Sequence, residues 1–411
     1  MMSDNITVKS FPASEGESFL ITITQSTMTT NIIIDCGYTS TARLLIDECK
    51  KINLLGQHID LLILTHIDND HINGARTLLN EIINNKIIKI KQIWYNDYFM
   101  IYKCVNKILG LDIYKSSNVV LDKIINTPYP ENSTIYKEKN VGFQKALFLE
   151  DILTKPEVLS IWNTDFDYQY IAIDDKPIKK TLNNEVVLYI LGPYLNTLKQ
   201  QFYEWRDYLN KTNYSLLLDN NIDLAKAFEI SLMLFHESSN NFSKKKCGSS
   251  ANQIAELISF ENFDTTTSNR SSISIVIEFN NKKLLFLGDS SPIDLENTLL
   301  EYSNLNGHNS FFDLVKLPHH GSKRNWSIKL NEIAKSKKYL IATNGNRHNH
   351  PDIETIMKII SRPGNKEIIF NYKPERLLHK LNNLKVQETY TYTVNYENSN
   401  RNQLKVQEIS L

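Results

Sequence analysis

Apolar residues fall along the chain in two alternating rhythms. At 18–24 and 31–35 they form β-type runs, separated by polar residues and closed by Cys36-Gly37, the pattern of a strand hairpin. Leu44, Leu45, Cys49 and Ile52 then recur at helical intervals over 41–52, and the short bounded run at 59–64 has the pattern of a buried strand. A second helical period covers 72–83 and another strand pattern covers 88–94. Strand, helix, strand in this order predicts an α/β domain.

Farther along, 186–191 reads as a strand ended by Gly192-Pro193, and 195–209 as a helix rich in aromatic and charged residues. Strand patterns recur at 272–279, 283–287, 314–317, 339–342 and 368–372, with helical periods at 293–305 and 353–360. The whole chain, 1–411, reads as one domain interrupted by two helical or irregular insertions, at about 98–170 and 195–267, and closed by a strand-rich tail over 368–411. The second insertion contains SNNFSKKKCGSS, a polar loop pattern. LKVQE occurs at both Leu384 and Leu404, which reads as chance or a hairpin more readily than as a repeat architecture.

Composition narrows the classes. A chain of 411 residues buries a core without needing disulfide staples. Its 46 basic and 46 acidic residues cancel, which excludes a global field for coating polyanions and leaves any nucleic-acid contact local. Cys36, Cys49, Cys104 and Cys247 are scattered without CxxC spacing, as suits a reducing compartment. The first residues lack a secretory pattern, and no run reaches the ~18 apolar residues of a membrane span. A cytoplasmic protein without a membrane partner is expected.

One segment is crowded with chemistry. LLILTHIDNDHINGA places His66, Asp68, Asp70 and His71 directly after a buried strand. A tight loop there can turn His66 and Asp68 toward one point and Asp70 and His71 toward another. Imidazole with carboxylate is the ligand chemistry of zinc, and of manganese or iron. A polar surface loop is the bland alternative, and the strand end and further ligands downstream argue against it.

These residues resemble a known family. THIDNDH is similar to the HxHxDH signature of the metallo-β-lactamase fold, with Asp68 in place of the second His. LLFLGDSS puts Asp289 after a later strand, and VKLPHHGSKRN supplies His319 and His320. NRSSISIVIEFNNKKLLFLGD, LPHHGSK and NGNRHNHP resemble the ComEC-like subgroup, the hydrolase domain of the competence DNA-uptake protein and its soluble relatives. The matching blocks are 16–75, 186–193 and 268–360.

The resemblance implies an α/β fold built as a four-layer αββα sandwich with one or two divalent metal ions, zinc foremost and manganese the alternative. His66 and Asp68 would hold the first ion and Asp70 and His71 the second, with Asp289 bridging. His319 would complete the second site, with His320 the other candidate. Asp35 matches the first family motif, where the Asp orients the metal loop. The family reads Leu-His-Pro where this chain reads Leu191-Gly192-Pro193, so one ligand is missing and a single bound ion is open.

Asp70, His320 and His350 are the catalytic candidates. Asp70 would orient a water whose pKa metal lowers toward about 7, and His320 or His350 would protonate the leaving group. Ser322, Lys323, Arg324 and Asn325, with His350, would bind a substrate phosphate, against the alternatives of a solvated turn and, for His350, a cap on the helix starting near Asp352. His348 reads as a surface residue. Phe202, Tyr203, Trp205 and Tyr208 read as helix core before a base-stacking platform, and 244–246 as a solvated basic loop. The expected function is a phosphodiesterase or nuclease using metal-activated hydroxide. The rivals are a hydrolase of a small-molecule ester, thioester, lactam or phosphoester, and a non-catalytic or partner-activated subunit. For the last, the resemblance suggests a protein partner such as a large ATPase of an antiphage defence system.

Overall fold

The computed structural model describes residues 5–25, 28–98, 100, 101, 105, 149–167, 169–183, 185–211, 250–308, 310–397 and 405–411. Two mixed sheets carry the fold. The first contains β1 (Asn5–Ser10), β2 (Ser18–Gln25), β3 (Met28–Cys36), β4 (Leu61–Ile63), β5 (Ile93–Trp94) and, beside β1 at the far edge, the last strand of the chain, β16 (Gln407–Ser410). The second contains β6 (Ile178–Leu182), β7 (Val186–Gly192), β8 (Ser274–Phe279), β9 (Lys282–Phe286), β11 (Leu314–Lys316), β13 (Lys338–Ile341), β14 (Lys366–Phe370) and β15 (Tyr392–Tyr396). Its order across the sheet is β15-β14-β13-β11-β9-β8-β7-β6. A short parallel pair, β10 (Phe311–Phe312) with β12 (Lys335–Ser336), lies beside it.

The period of two along each strand sorts side chains into layers. In β2 and β3, Phe19, Ile21, Ile23, Ile32 and Ile34 point into a core shared with Ile275, Ile277, Leu284 and Phe286 of the second sheet. Leu20 and Ile33 point the other way, against α1 (Thr39–Leu54) and α2 (Asn69–Asn85), which contribute Leu45, Cys49, Ile72 and Leu78. On the far side, Val276, Leu285 and Val315 pack against α8 (Pro292–Leu305), α9 (Ile328–Ile333), α10 (Ile353–Ile360) and α11 (Glu375–Asn383). Helices, sheet, sheet, helices: this is the expected four-layer αββα sandwich.

Several boundaries differ from the sequence reading. NITVKS at β1 joins the sheet, its Ile6 and Val8 buried and its intervening polar residues turned outward, a strand too short and polar to stand out in the apolar pattern. The LKVQE copies adopt different structures. The first runs from the end of α11 into a 3-10 turn at Val386–Glu388, while the second leads into β16, so a hairpin between them is ruled out. In the span of the first expected insertion, α3 (Leu149–Leu153) and α4 (Pro156–Leu159) return to the core, where Leu149, Ile152 and Trp162 are buried. Residues 161–163 continue the sheet edge, with Ile93 N–H donating to Ile161 O (2.8 Å) and Asn163 N–H to Ile93 O (2.8 Å). In the second, α5 (Leu195–Lys211) buries Leu198 and Phe202 with Tyr203 packed beside them, which places those aromatics in the core. The side chains of Trp205 and Tyr208, and all of 244–246, lie outside the described residues. From α6 (Ser250–Ile258) onward the chain packs on α10, where buried Lys358 Nζ donates to Trp326 O (2.8 Å) and meets Glu261 (2.8 Å).

Helix α2 sits unusually close to the end of β3. Gly74 N–H donates to Gly37 O at 2.6 Å, and a Cβ on Gly74 would stand 2.2 Å from the Cys36 carbonyl oxygen. Backbone cannot yield there as a flexible side chain would. Gly74→Ala should therefore lower stability by about 1–3 kcal/mol, the usual penalty for overpacking, read as a lower urea midpoint at unchanged slope. An unchanged midpoint would mean that α2 and β3 do not approach this closely.

Candidate metal centre

The carboxyl ends of the parallel strands gather the polar side chains, the place where α/β sheets present loops to ligands. Asp35 ends β3, the His66–His71 segment follows β4, Asp289 follows β9, and His319 and His320 follow β11. Asp68 is the N-cap residue of α2, so Asp70 and His71 sit in that helix's first turn. The loop is fastened from below by Asp35. Its carboxylate accepts from Thr65 N–H (2.8 Å) and Thr65 Oγ1 (2.8 Å), and it meets His71 Nδ1 at 2.8 Å. Thr65 O in turn accepts from Ile273 N–H (2.8 Å), which ties the loop to the second sheet. Gly16 crosses so near the loop that a Cβ would lie 2.0 Å from Asp70 O.

Asp289 is the hub. Its carboxylate lies 3.5 Å from His71 Nε2, 3.8 Å from His319 Nε2 and 3.9 Å from both His66 Nε2 and His320 Nε2. His320 Nε2 also lies 3.2 Å from Asp70 Oδ2, and His71 Nε2 3.8 Å from the same atom. Donor atoms of His66, His71 and Asp289 fall within 4.8 Å of one another, and so do those of Asp70, His71 and His320. His66 Nε2, His71 Nε2 and Asp289 Oδ1 are buried without a hydrogen-bond partner among the described residues. Buried polar atoms are rarely left so. Their separations exceed hydrogen bonds but match ligands arranged around one cation, each about 2.0–2.2 Å from it. The residues therefore fit one or two divalent metal ions.

Electrostatics point the same way. Burial pushes the Asp289 carboxyl up, but the imidazoles of His71, His319 and His320 outweigh it and hold the group well below the carboxylate range. Asp70 is likewise lowered against its burial by His71 and His320. Burial disfavours charge on His71, yet Asp289, Asp35 and Asp70 raise its pKa well above the ordinary value. His320 is pushed up to about 10, with Asp289, Asp70 and Glu17 overcoming its burial. Without metal, protons on His71, His319 and His320 balance the clustered carboxylates.

The two adjacent histidines diverge, both in left-handed backbone (φ 45° and 55°). His320 turns inward to Asp70 and Glu17. His319 faces the cleft and is backed by Asp264 (3.5 Å from Nδ1), Asn269 and Asn325 (each 3.2 Å). Thus His320, rather than the favoured His319, sits with Asp70 and His71. Asp68 faces His66 Nε2 at 3.7 Å, and its other oxygen accepts from Ser268 Oγ. Gly192 brings no ligand, and a Cβ there would meet only Ser272 O, at 3.7 Å.

Sequence reasoning missed Glu17 and Lys316. The two form an ion pair in the interior, both 1% exposed; Lys316 Nζ also donates to Gly288 O (3.1 Å), and Glu17 Oε1 reaches His320 Nδ1 (3.0 Å). A lysine inside the apolar run DLVKL was the available signal.

The residues expected after HHG to bind substrate turn mostly to protein partners. Ser322 and Asn325 are buried. Asn325 Nδ2 donates to Asp289 O (3.0 Å) and Ser290 O (3.3 Å), so it shapes the Asp289 turn. Lys323 Nζ pairs with Glu354 (2.8 Å) and lies over the Phe260 ring, and Arg324 donates to Phe263 O (3.1 Å). Polarity in that loop is spent on the protein. His350 does line the cleft, a space of about 310 Å³ bounded also by Asp68, Asp70, His319, Arg347 and His348. Its Nδ1 stands 3.4 Å from Asp352, the N-cap residue of α10. His348 is exposed, as expected, yet belongs to the rim.

Residues 15–93 match the family model of the metallo-beta-lactamase superfamily, a stretch that includes Asp35 and the whole His66–His71 segment. Among solved structures, the metallo-beta-lactamase fold protein YhfI from Bacillus subtilis is similar at 11% identity over 99% of this chain and 100% of that one, with a TM-score of 0.37, too loose a likeness to carry an argument. No curated protein matches. The sandwich described above, with the matched segment at its strand ends, is a metallo-β-lactamase fold.

Two outcomes follow from these charges. Removing one partner of the interior pair strands the other, so Lys316→Met should destabilise the protein by about 3–5 kcal/mol. Adding Glu17→Gln should recover part of that loss, and a double-mutant cycle with no coupling would refute the pairing. Ligand nitrogens must also be free of protons. Zinc titrated into metal-free protein near neutral pH should therefore release protons from His71 and His320 and bind more tightly as pH rises toward about 10. Calorimetry in buffers of different ionisation enthalpy measures this, and buffer-independent heats would show that the imidazoles are already neutral.

Proposed function

We propose that the chain is a metal-dependent hydrolase acting on phosphodiesters. The observation that carries the reading is the convergence of partnerless donor atoms from His66, His71 and Asp289 beside an open cleft that Asp289 lines. Asp70, His71 and His320 would hold one ion and His66 with Asp68 a second, Asp289 lying between. Structural metal sites are closed, whereas catalytic ones keep an open position. Here Asp68, Asp70 and His319 remain partly exposed in the cleft, at 13%, 19% and 24%.

A divalent metal held there would supply a nucleophilic water at neutral pH and neutralise charge growing on the attacked group. The protein's own part is positioning. Asp70, kept ionised by His71 and His320, would accept a hydrogen bond from the attacking water and so aim it. His319, braced at Nδ1 by Asp264, turns Nε2 to the cleft and would hydrogen-bond the leaving oxygen. Arg347, which hydrogen-bonds the Tyr38 hydroxyl, adds a cation at the rim suited to a phosphoryl oxygen. The ComEC-like resemblance of the blocks around Asp289 and His319 supports a phosphodiester over a lactam or thioester.

A second reading has its own observation. Gly192 stands where the family places a ligand, which favours a metal-binding subunit without turnover, activated by or serving a protein partner. The test is hydrolysis of bis(p-nitrophenyl) phosphate by purified protein loaded with zinc or manganese. Metal-dependent turnover that falls by about 10²-fold or more in Asp70→Ala is expected. Retained metal without turnover would overturn the phosphodiesterase reading in favour of the subunit.

A further inference from the structure

A second, larger cavity opens beside the cleft. It measures about 530 Å³ and lies between the 343–351 loop and the start of α11. Thr343 and His350 line both spaces, so the partition is one layer of side chains thick. Such a volume is within the range of small-ligand sites.

The second cavity is richer in cations than the first, with Arg347 the cation of the cleft and Glu375 the carboxylate of this cavity. The metal cleft is walled by carboxylates, whereas this cavity carries Lys373, Arg376 and Lys380. Arg376 and Lys380 stand four apart on α11, and residues at that spacing share one face of a helix. The helix's buried contacts are made by Leu377 and Leu381, leaving both cations exposed. Neither pairs with a carboxylate among the described residues. Lys373 meets Glu375 at 3.3 Å in an exposed pair, which contributes little. Adjacent unpaired cations at the mouth of a cavity favour a phosphate.

The remaining lining suits the rest of a nucleotide. The Tyr372 hydroxyl accepts a hydrogen bond from Ser14 N–H (2.9 Å), which fixes the ring in place. A half-buried aromatic held this way is a stacking platform tolerant of any base. Asn346 and Asn349 add amide groups able to meet base edges or sugar hydroxyls.

We infer that this cavity is a flanking-nucleotide subsite: it takes the nucleotide next to the scissile phosphodiester of a single-stranded nucleic acid, with its phosphate on Arg376, Lys380 and Lys373 and its base against Tyr372. The inference rests on the phosphodiesterase reading for the cleft and names its substrate class. A strand lying across Thr343 and His350 would present one phosphate to the metal ligands and the next to the cations. Neutral overall charge is no obstacle, because the attraction is local.

The experiment compares wild type with Arg376→Glu/Lys380→Glu, two exposed positions whose effect on folding is checked by thermal melting. The first arm measures binding of a fluorescein-labelled oligothymidylate to the full chain by anisotropy, with EDTA present so that no strand is cut. The double variant should bind about tenfold more weakly, and its affinity should depend less on salt, since each lost phosphate contact removes about 0.7 from the slope for single strands. The second arm measures the ratio of kcat/KM for the oligonucleotide to that for bis(p-nitrophenyl) phosphate, which has no flanking phosphate. That ratio should drop about tenfold. Dissociation constant and ratio both within twofold of wild type would overturn the subsite. Thymidine 5′-monophosphate binding as tightly as the oligonucleotide, and lost in the variant, would identify a free-nucleotide site and overturn the strand reading. Absence of hydrolysis of both substrates by the wild type defeats the phosphodiesterase reading separately, and the binding arm then decides the subsite alone.

Discussion

A carboxylate buried among imidazoles sets the terms for the site. Asp289 is 3% exposed and faces His66, His71, His319 and His320. An ionised carboxylate out of water is costly unless positive charge surrounds it. In the metal-free protein protonated His71, His319 and His320 supply that charge, and in the loaded protein divalent metal would. Protons and metal thus compete for the same nitrogen atoms. Tight metal binding requires the fold to hold those atoms in place when the protons leave, and it does so with a second ring of fixed groups. Asp35 holds His71, the Ala342 carbonyl holds His320 with Glu17 beside it, and Asp264 with Asn269 and Asn325 holds His319. Such partners fix the ring orientation and raise ligand basicity.

The sandwich exists, at this end, to bring those two rings into register. The first sheet supplies Asp35 and the His66–His71 segment, and the second supplies Asp289, His319 and His320. The group of His66, His71 and Asp289 and the group of Asp70, His71 and His320 each draw on both sheets. The hydrogen bond from Ile273 N–H to Thr65 O and the ion pair of Lys316 with Glu17 join them beneath the metal ligands. Both joints lie in the interior, where they are shielded from screening by salt. Close backbone approach completes the fit, with Gly16 lying against the carbonyl of Asp70.

Much of this was legible along the chain because the signals were local. Helices α1 and α2 follow from the 3.6-residue period, and β2, β3, β8 and β9 from apolar runs. His66, Asp68, Asp70 and His71 betrayed a centre by crowding after a strand. What escaped was the long-range pairing of polar groups. GSKRN has the composition of a solvated turn, yet Ser322 and Asn325 are buried and Asn325 shapes the turn that carries Asp289. Polarity predicts exposure only when no buried partner is waiting. Glu17 and Lys316 meet across the sheets, and nothing near either residue names the other. The choice between His319 and His320 was illegible for a different reason, since backbone φ, which no spacing rule reports, decides which ring turns inward.

That divergence of the two rings separates holding from handling. His320 is fixed at both ring nitrogens, Nδ1 by the Ala342 carbonyl (3.0 Å) and Nε2 by Asp70 (3.2 Å). His319, one residue earlier, keeps Nε2 on the cleft side while Asp264 steadies its other nitrogen. The consecutive left-handed residues that produce this arrangement are strained, and strain of this kind persists where surrounding structure enforces it. Here Gly321 N–H bonds to Pro318 O and Ser322 N–H to His319 O, closing the turn that keeps the rings apart. Gly192 bears on the same division of labour. A Cβ at that position would meet only Ser272 O, at 3.7 Å, so the Gly192-Pro193 turn offers no side chain to the cluster. Asp70 is 19% exposed and Asp68 13%, against 0% for His71 and His66, so on either side of Asp289 it is the carboxylate that reaches the cleft.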